Sequence, residues 1–257
     1  MPAGSLASRR VALRAVRPSD TEWLYELLVV RAGARTRYRG RTPSPGDFHA
    51  ELWRGVHAQF VVESRDGVRC GLVGLYNTNL VAAHSHVFAT SEPAFGHLTS
   101  EATGLLLDWA FREFELSKVW IEATTFNLAQ YPSILELATT EGTLTNHEYW
   151  RGRFWDLLVL SVTAEQWRRR FGEVVELSRS GTATAPLDAR GELEQLVAEL
   201  WPLDSLGAAE VLCTAEETLG VVLPDGALAG LPLDGGPATF VDELLGRAEF
   251  VRSTRPA

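Results

Sequence analysis

Between residues 11 and 162 the spacing of apolar residues changes period repeatedly, from two to between three and four and back again. This alternation limits the fold more than any other feature of the chain. Residues 11–16 alternate as a strand, and Pro18-Ser19-Asp20 then opens a helix that runs to Val30. Residues 60–63 and 70–76 form a hairpin that turns at Asp66-Gly67, and residues 84–89 are a further strand. Residues 101–114 place Ala102, Leu105, Leu106, Trp109, Ala110 and Phe114 on one side of a helix. A strand returns over 119–124, a helix spans about 133–139, and strands near 143–151 and 153–162 pair across Arg151-Gly152-Arg153. Interleaving of this kind predicts a mixed α/β sheet covered by helices.

The pattern breaks after residue 177. Residues 178–191 (SRSGTATAPLDARG) are small, polar and without apolar periodicity, which reads as a flexible linker. Beyond it lie a helix over 192–200, a second opening at Ser205 and a third over 238–246. With 257 residues, 46% of them hydrophobic, the chain can fill two modest cores. The predicted division is 1–177, a linker at 178–191, and a small all-α unit at 192–257.

The net charge of −9 is unevenly placed. From Asp188 onward there are 13 acidic and 4 basic residues, so the whole excess belongs to the smaller unit and residues 1–187 balance to zero. Glu210, Glu216, Glu217 and Asp225 lie on or beside the second helix, where an acidic face would steer a basic protein partner; a plain solvated surface is the alternative. A basic stripe with interleaved aromatics is missing, which argues against nucleic acid. Cys70 and Cys213 are the only cysteines and no membrane-length apolar run or signal peptide is evident, so a cytoplasmic location is expected.

Residues 203–225 read LDSLGAAEVLCTAEETLGVVLPD. Alone, Asp204-Ser205-Leu206 is a helix N-cap. The whole stretch, with Glu216-Glu217, Gly220-Val221 and Pro224-Asp225, resembles the acyl carrier protein family, and the likeness covers about residues 188–250. It implies 4'-phosphopantetheine on Ser205, where a phosphodiester would sit at the favourable end of a helix dipole. It also implies a phosphopantetheinyl transferase and biosynthetic enzymes as partners docking on the acidic helix. The chain departs from the family in its first connection, where a long loop is reduced to Trp201-Pro202-Leu203.

The larger unit resembles the GNAT acyltransferase superfamily, in particular the branch that acetylates protein N-termini. The resemblance rests on VALRAVRPSD, GLVGLYN, EATGLLLDWAF, KVWIEATTFNLAQ and EYWRGRFWDLLVLSV, in that order over about residues 9–170. It implies two splayed parallel strands with a thioester donor, acyl-CoA or an acyl-carrier, in the gap. The donor pyrophosphate would rest on a glycine-rich loop entering the next helix. At that loop the chain has PAFGHLTSE, in which only Gly96 fits the pattern, so free coenzyme A is expected to bind poorly or in an altered way. Gly96, His97 and Thr99 are the cofactor candidates there, and His97 could meet the single phosphate of a tethered arm or lie at the surface. Asn127 matches a family asparagine near the pantetheine arm, with a helix N-cap as the alternative. Ile134 stands where many members place a tyrosine that protonates the leaving thiolate, with Tyr131 nearby.

A base that strips an acceptor amine must lie near working pH. His84 and His86 are two apart on a strand and share a face; they are solvent-facing, a catalytic base, or metal ligands lacking a third partner. Glu148 is a further base candidate, and Tyr149, Trp150 and Trp155 read as core or cleft walls. The two halves together lead us to expect an acyltransferase fed from its own carrier, moving an acyl group between a thioester and an amine or thiol in specialised-metabolite biosynthesis. The alternative is a non-catalytic platform that presents the carrier.

Overall fold

The computed structural model describes residues 6–31, 42–128, 133–171, 189–219, 221–224, 226–228, 231, 236–247 and 249–250. Seven strands form one sheet: β1 Val11–Ala15, β2 Val56–Ser64, β3 Arg69–Asn79, β4 His84–Ser91, β5 Lys118–Thr124, β6 Thr139–Trp150 and β7 Arg153–Thr163, in the order β1-β2-β3-β4-β5-β7-β6. Every neighbouring pair is antiparallel except β4 and β5. The exception follows from connectivity, because β4 leads to β5 through a long crossover helix, α3 Gly96–Glu113, rather than a short turn. The β6–β7 hairpin turns at Arg151 and Gly152, which both have positive φ, as a two-residue turn matched to strand twist requires.

Two helical layers cover the sheet. On one side α3 buries Leu98, Ala102, Leu105, Leu106, Trp109 and Ala110 against Val11, Phe60, Val62, Val73, Leu75 and Val87. Helices α5 Ser133–Leu137 and α6, residues 164–171, extend that layer through Leu137, Trp167 and Phe171. On the other side lie α1 Thr21–Tyr25, with its 3-10 lead-in at Pro18–Asp20 and wider continuation at Glu26–Val30, and α2 Pro45–Glu51. They bury Leu24, Leu27, Leu28 and Phe48 on Val61 and Leu72. Helix α2 was absent from the sequence reading because seven residues span too few turns to display a period; Ser44, which accepts from the Asp47 amide, is its cap.

The three helices predicted after the linker are present as α7 Ala189–Glu199, α8 Ser205–Leu219 and α9 Gly236–Gly246, around Leu193, Val197, Val211, Leu212, Ala215, Phe240, Val241 and Leu244. A two-residue pair, β8 Val221–Val222 with β9 Glu249–Phe250, accompanies them. Helix α8 has a second buried side, which rests on α3. There Arg10, 2% exposed, donates through Nε to Glu101 of α3 at 2.9 Å and through Nη2 to Cys213 Sγ at 2.8 Å and to the Ala209 carbonyl at 3.4 Å. Glu216 stands 4.0 Å from the same guanidinium and accepts the Leu223 amide at 2.8 Å. Burial works against the Arg10 charge, but the carboxylates of Glu101 and Glu216 outweigh it and leave the group more firmly protonated than in water. Burial also pushes the Cys213 thiol up to about 12, which keeps it a neutral hydrogen-bonding group.

These contacts correct the expected acidic docking face at Glu210 and Glu216; the Glu217 side chain and Asp225 lie outside the described residues. Glu210 and Glu216 are 6% and 3% exposed, and Glu210 pairs with Arg170 at 2.5 Å, so both carboxylates hold α8 to the rest of the chain rather than facing a partner. The sequence hid this because an acidic helix looks the same whether its counter-charges come from solvent or from distant arginines. Arg10→Ala would leave Glu101 and Glu216 buried without their cation, and a loss of about 3–5 kcal/mol in urea unfolding is expected. A loss within the range of an exposed pair, about 0–1 kcal/mol, would contradict a buried ionic seam.

Candidate active site

β4 and β5 pair only at His84↔Lys118, Ser85↔Val119 and His86↔Trp120. Beyond that point β4 follows β3 as far as Gly71↔Ser91, and β5 follows β7 as far as Thr124↔Leu157. Each strand keeps its outer neighbour while parting from the other. The facing backbone groups of residues 87–91 and 121–124 are left for water or a ligand. Ala89, at the centre of the strand order, is accordingly exposed.

At the upper end of this gap the chain turns through Pro93–Phe95 and enters α3 at Gly96, five residues earlier than the apolar pattern suggested. The pattern missed the first turn because His97, Thr99 and Glu101 are polar yet buried, at 8%, 4% and 9% exposure. Gly96 has ordinary helical angles, φ −56° and ψ −43°, and Leu98 is fully buried. Thr99 is turned inward: a Cβ placed on Gly71 of β3 would lie 2.6 Å from its hydroxyl oxygen. Of the expected loop residues, Gly96 therefore stays at the entrance, His97 is buried in the first turn, and Thr99 faces β3.

Below the fork, on the side covered by α1 and α2, the strands bring a polar and aromatic group together. His84 and His86 of β4 lie beside Trp120 of β5, each with ring centroids 6.3 Å from it, and Tyr76 of β3 stands 5.0 Å from His86. Glu122 reaches His86 Nδ1 at 3.5 Å, an ion-pair distance at which no formal hydrogen bond is made. Lys118 holds its ammonium 4.0 Å above the Trp120 ring and 3.0 Å from Glu141, which also accepts from Ser161 at 2.7 Å. His84 Nδ1 is buried with no hydrogen-bond partner among the described residues.

Burial of the ring holds His86 below the ordinary histidine value; Glu122 opposes the shift and His84 adds to it. A lowered value means a neutral imidazole near pH 7, which is the form that accepts a proton.

The other candidates lie elsewhere. Glu148 is on β6 opposite Trp155, and Trp155 is six positions along β7 from Ser161, the register partner of Trp120. At the rise of a strand that is about 20 Å, so Glu148 does not join the histidines, and its recorded charge neighbour is His147 at 3.8 Å. That end of the hairpin projects past β5 as an arm. Trp150 stacks on Phe126, Arg153 covers Trp155 at 3.4 Å, and Tyr149, 65% exposed, is neither core nor cleft wall. Asn127 is half-buried in the short helix α4, Thr125–Leu128, at the end of β5. Tyr131 lies outside the described residues. Ser205 opens α8, where Asp204 is the cap, accepting the Leu206 and Gly207 amides at 3.0 and 2.8 Å.

Residues 10–131 match the family model described as the acetyltransferase (GNAT) domain. They form a GNAT acetyltransferase domain. Solved structures share this GNAT fold. A spermidine N-acetyltransferase chimera from Vibrio cholerae and hSSAT is 18% identical, with a TM-score of 0.51 over 62% of this chain and 99% of that one. The Vibrio cholerae spermidine/spermine N-acetyltransferase with manganese is likewise 18% identical, at 0.51 over 63% and 96%. A GNAT-family acetyltransferase from Bacillus anthracis is 15% identical, at 0.51 over 62% and 98%. A search of curated proteins found no match.

Lys118, Trp120, Glu122, Glu141 and Ser161 were not singled out from sequence. The available signal was the spacing of Lys118, Trp120 and Glu122, two apart on the strand that follows the crossover helix. In an acyl-transfer assay the acid limb of kcat/KM is expected below about pH 6.5. Glu122→Gln removes the neighbour that favours the charged ring and should move the limb lower still. An acid limb above that value, or one unmoved by the substitution, contradicts this assignment.

Proposed function

We propose that the chain transfers an acyl group from a thioester to an amine in the gap between β4 and β5, with His86 as general base. The observation that carries this reading is the placement of His84, His86, Trp120 and Glu122 at the point where the strands part in an acetyltransferase-type domain. The thioester lies in the gap with its carbonyl beside the fork. The amine approaches from the Trp120 side, its nitrogen bonds to the carbonyl carbon, and its proton passes to His86. The carbon–sulfur bond then breaks, and the proton on the imidazole becomes available to the thiolate. Ile134 leaves no phenol at the usual place for this last step. Asn127, at the end of β5, would meet the pantetheine arm.

The solved relatives named as spermidine N-acetyltransferases support an amine as acceptor. His86→Ala should lower kcat by about 10²–10⁴-fold, the range for loss of a general base. Retention of full turnover in a coupled thiol-release assay would remove His86 from that role.

A second reading concerns how the donor arrives: as 4'-phosphopantetheine thioester on Ser205, within specialised-metabolite assembly, rather than as free acyl-CoA. Two observations favour it. Pro93 and Phe95 stand where an open glycine loop would receive a pyrophosphate, and α8 packs on both α3 and α5. Leu206 packs into the same core as Ile134 and Ala138 of that layer. A tethered donor carries no pyrophosphate and gains effective concentration from its short arm. Because Glu210 and Glu216 are interior, a modifying enzyme would have to read the N-terminal end of α8. Coexpression with a phosphopantetheinyl transferase should add one arm to the intact mass, lost in Ser205→Ala. An unmodified chain leaves free acyl-CoA as the donor.

A further inference from the structure

Lys118 is the single lysine of the chain, which has 23 arginines. Everywhere else a long cation is needed, this sequence uses a guanidinium; at one position it uses an amine. The two differ in a way that matters for chemistry. A guanidinium stays charged in proteins, whereas an ammonium can give up its proton and become a nucleophile.

That one amine sits on the site face. Lys118 is the register partner of His84 at the first of the three β4–β5 pairs. Its side chain runs forward along the strand, so that Nζ lies 4.0 Å over Trp120, the last paired residue before the gap opens. Both histidine rings flank the same indole at 6.3 Å. Glu141, which also accepts from Ser161, holds the ammonium in this place at 3.0 Å, and the side chain remains 32% exposed. Holding a cation over an aromatic ring beside a carboxylate does not by itself call for lysine, since arginine makes both contacts.

We propose that Lys118 is an internal acyl acceptor, modified by the chain's own transfer reaction. The inference rests on the acyl-transfer reading above. The Nζ proton passes to His84, whose buried Nδ1 has no other partner among the described residues. Nζ, now a neutral amine, bonds to the thioester carbonyl carbon, the carbon–sulfur bond breaks, the departing thiolate takes the second nitrogen proton, and His84 gives its proton to water. The product is a neutral amide. It releases Glu141, and it lays an acyl chain over Trp120 where an acceptor amine would approach.

The test uses the full-length protein incubated with acetyl-CoA, and separately with an acetyl-pantetheine thioester, with intact mass and peptide mass spectrometry read over time. The expected result is a gain of one acetyl group on Lys118, absent in Lys118→Arg, which keeps the cation, and reduced at least tenfold in rate in His84→Ala. Acylation of Lys118 at the same rate in His84→Ala and in urea-unfolded protein would mean bulk chemical modification and would overturn the proposal. So would an unmodified Lys118 in protein that acetylates added amines, an outcome that leaves the acyl-transfer reading intact. Absence of both self-modification and amine turnover with either donor would remove both.

Discussion

β4 and β5 pair at His84, Ser85 and His86 and then separate, and the rest of the candidate site depends on that divergence. The crossover through α3 forces the two strands to run parallel, while β3 and β7 pull them apart from outside. A continuous seven-stranded sheet would bury Ala89 and satisfy its backbone within the ladder. The fork instead leaves a slot with unpaired edges, roofed by the entrance to α3. Directly below it are the two histidines, and the indole of Trp120 gives them a shared wall. Glu122 and burial then act on His86 in opposite directions, and burial prevails.

Most of the sheet was legible because its strands and main helix carry undiluted periods. The hairpin turn at Gly67, the strand at His84 and the apolar stripe of α3 all lie where the residues placed them. Short or polar elements were harder to read. The first turn of α3 buries His97, Thr99 and Glu101, which no hydrophobic pattern marks, and α2 is too brief to show one. At the site, the shared face of His84 and His86 followed from a spacing of two. Their neighbours on β5 did not, because which strands are adjacent is a property of topology rather than of any local string. Glu148 shows the converse: its residue type suited a base, but its register along β6 sets it well beyond the fork.

The attachment of α8 also lies beyond sequence reading. Arg10 and Cys213 are 203 positions apart, yet they meet at 2.8 Å between α3 and α8. The excess negative charge of the last 70 residues suggests an exposed acidic surface, but two of the carboxylates that suggested it are consumed internally by Arg10 and Arg170. One consequence is mechanical. The helix that covers α3 is held by buried ionic contacts whose loss is costly, so the outer side of α3 is a fixed wall formed partly by α8.

Acyl transfer in the slot between the splayed strands requires that slot to stay open. Ala89 is the direct probe, since it is exposed there. Filling the slot with Ala89→Trp should abolish transfer from acetyl-CoA and acetyl-pantetheine to amines while leaving the thermal unfolding midpoint within a few degrees of the parent. Full turnover by the Ala89→Trp protein would show that the thioester reacts somewhere else.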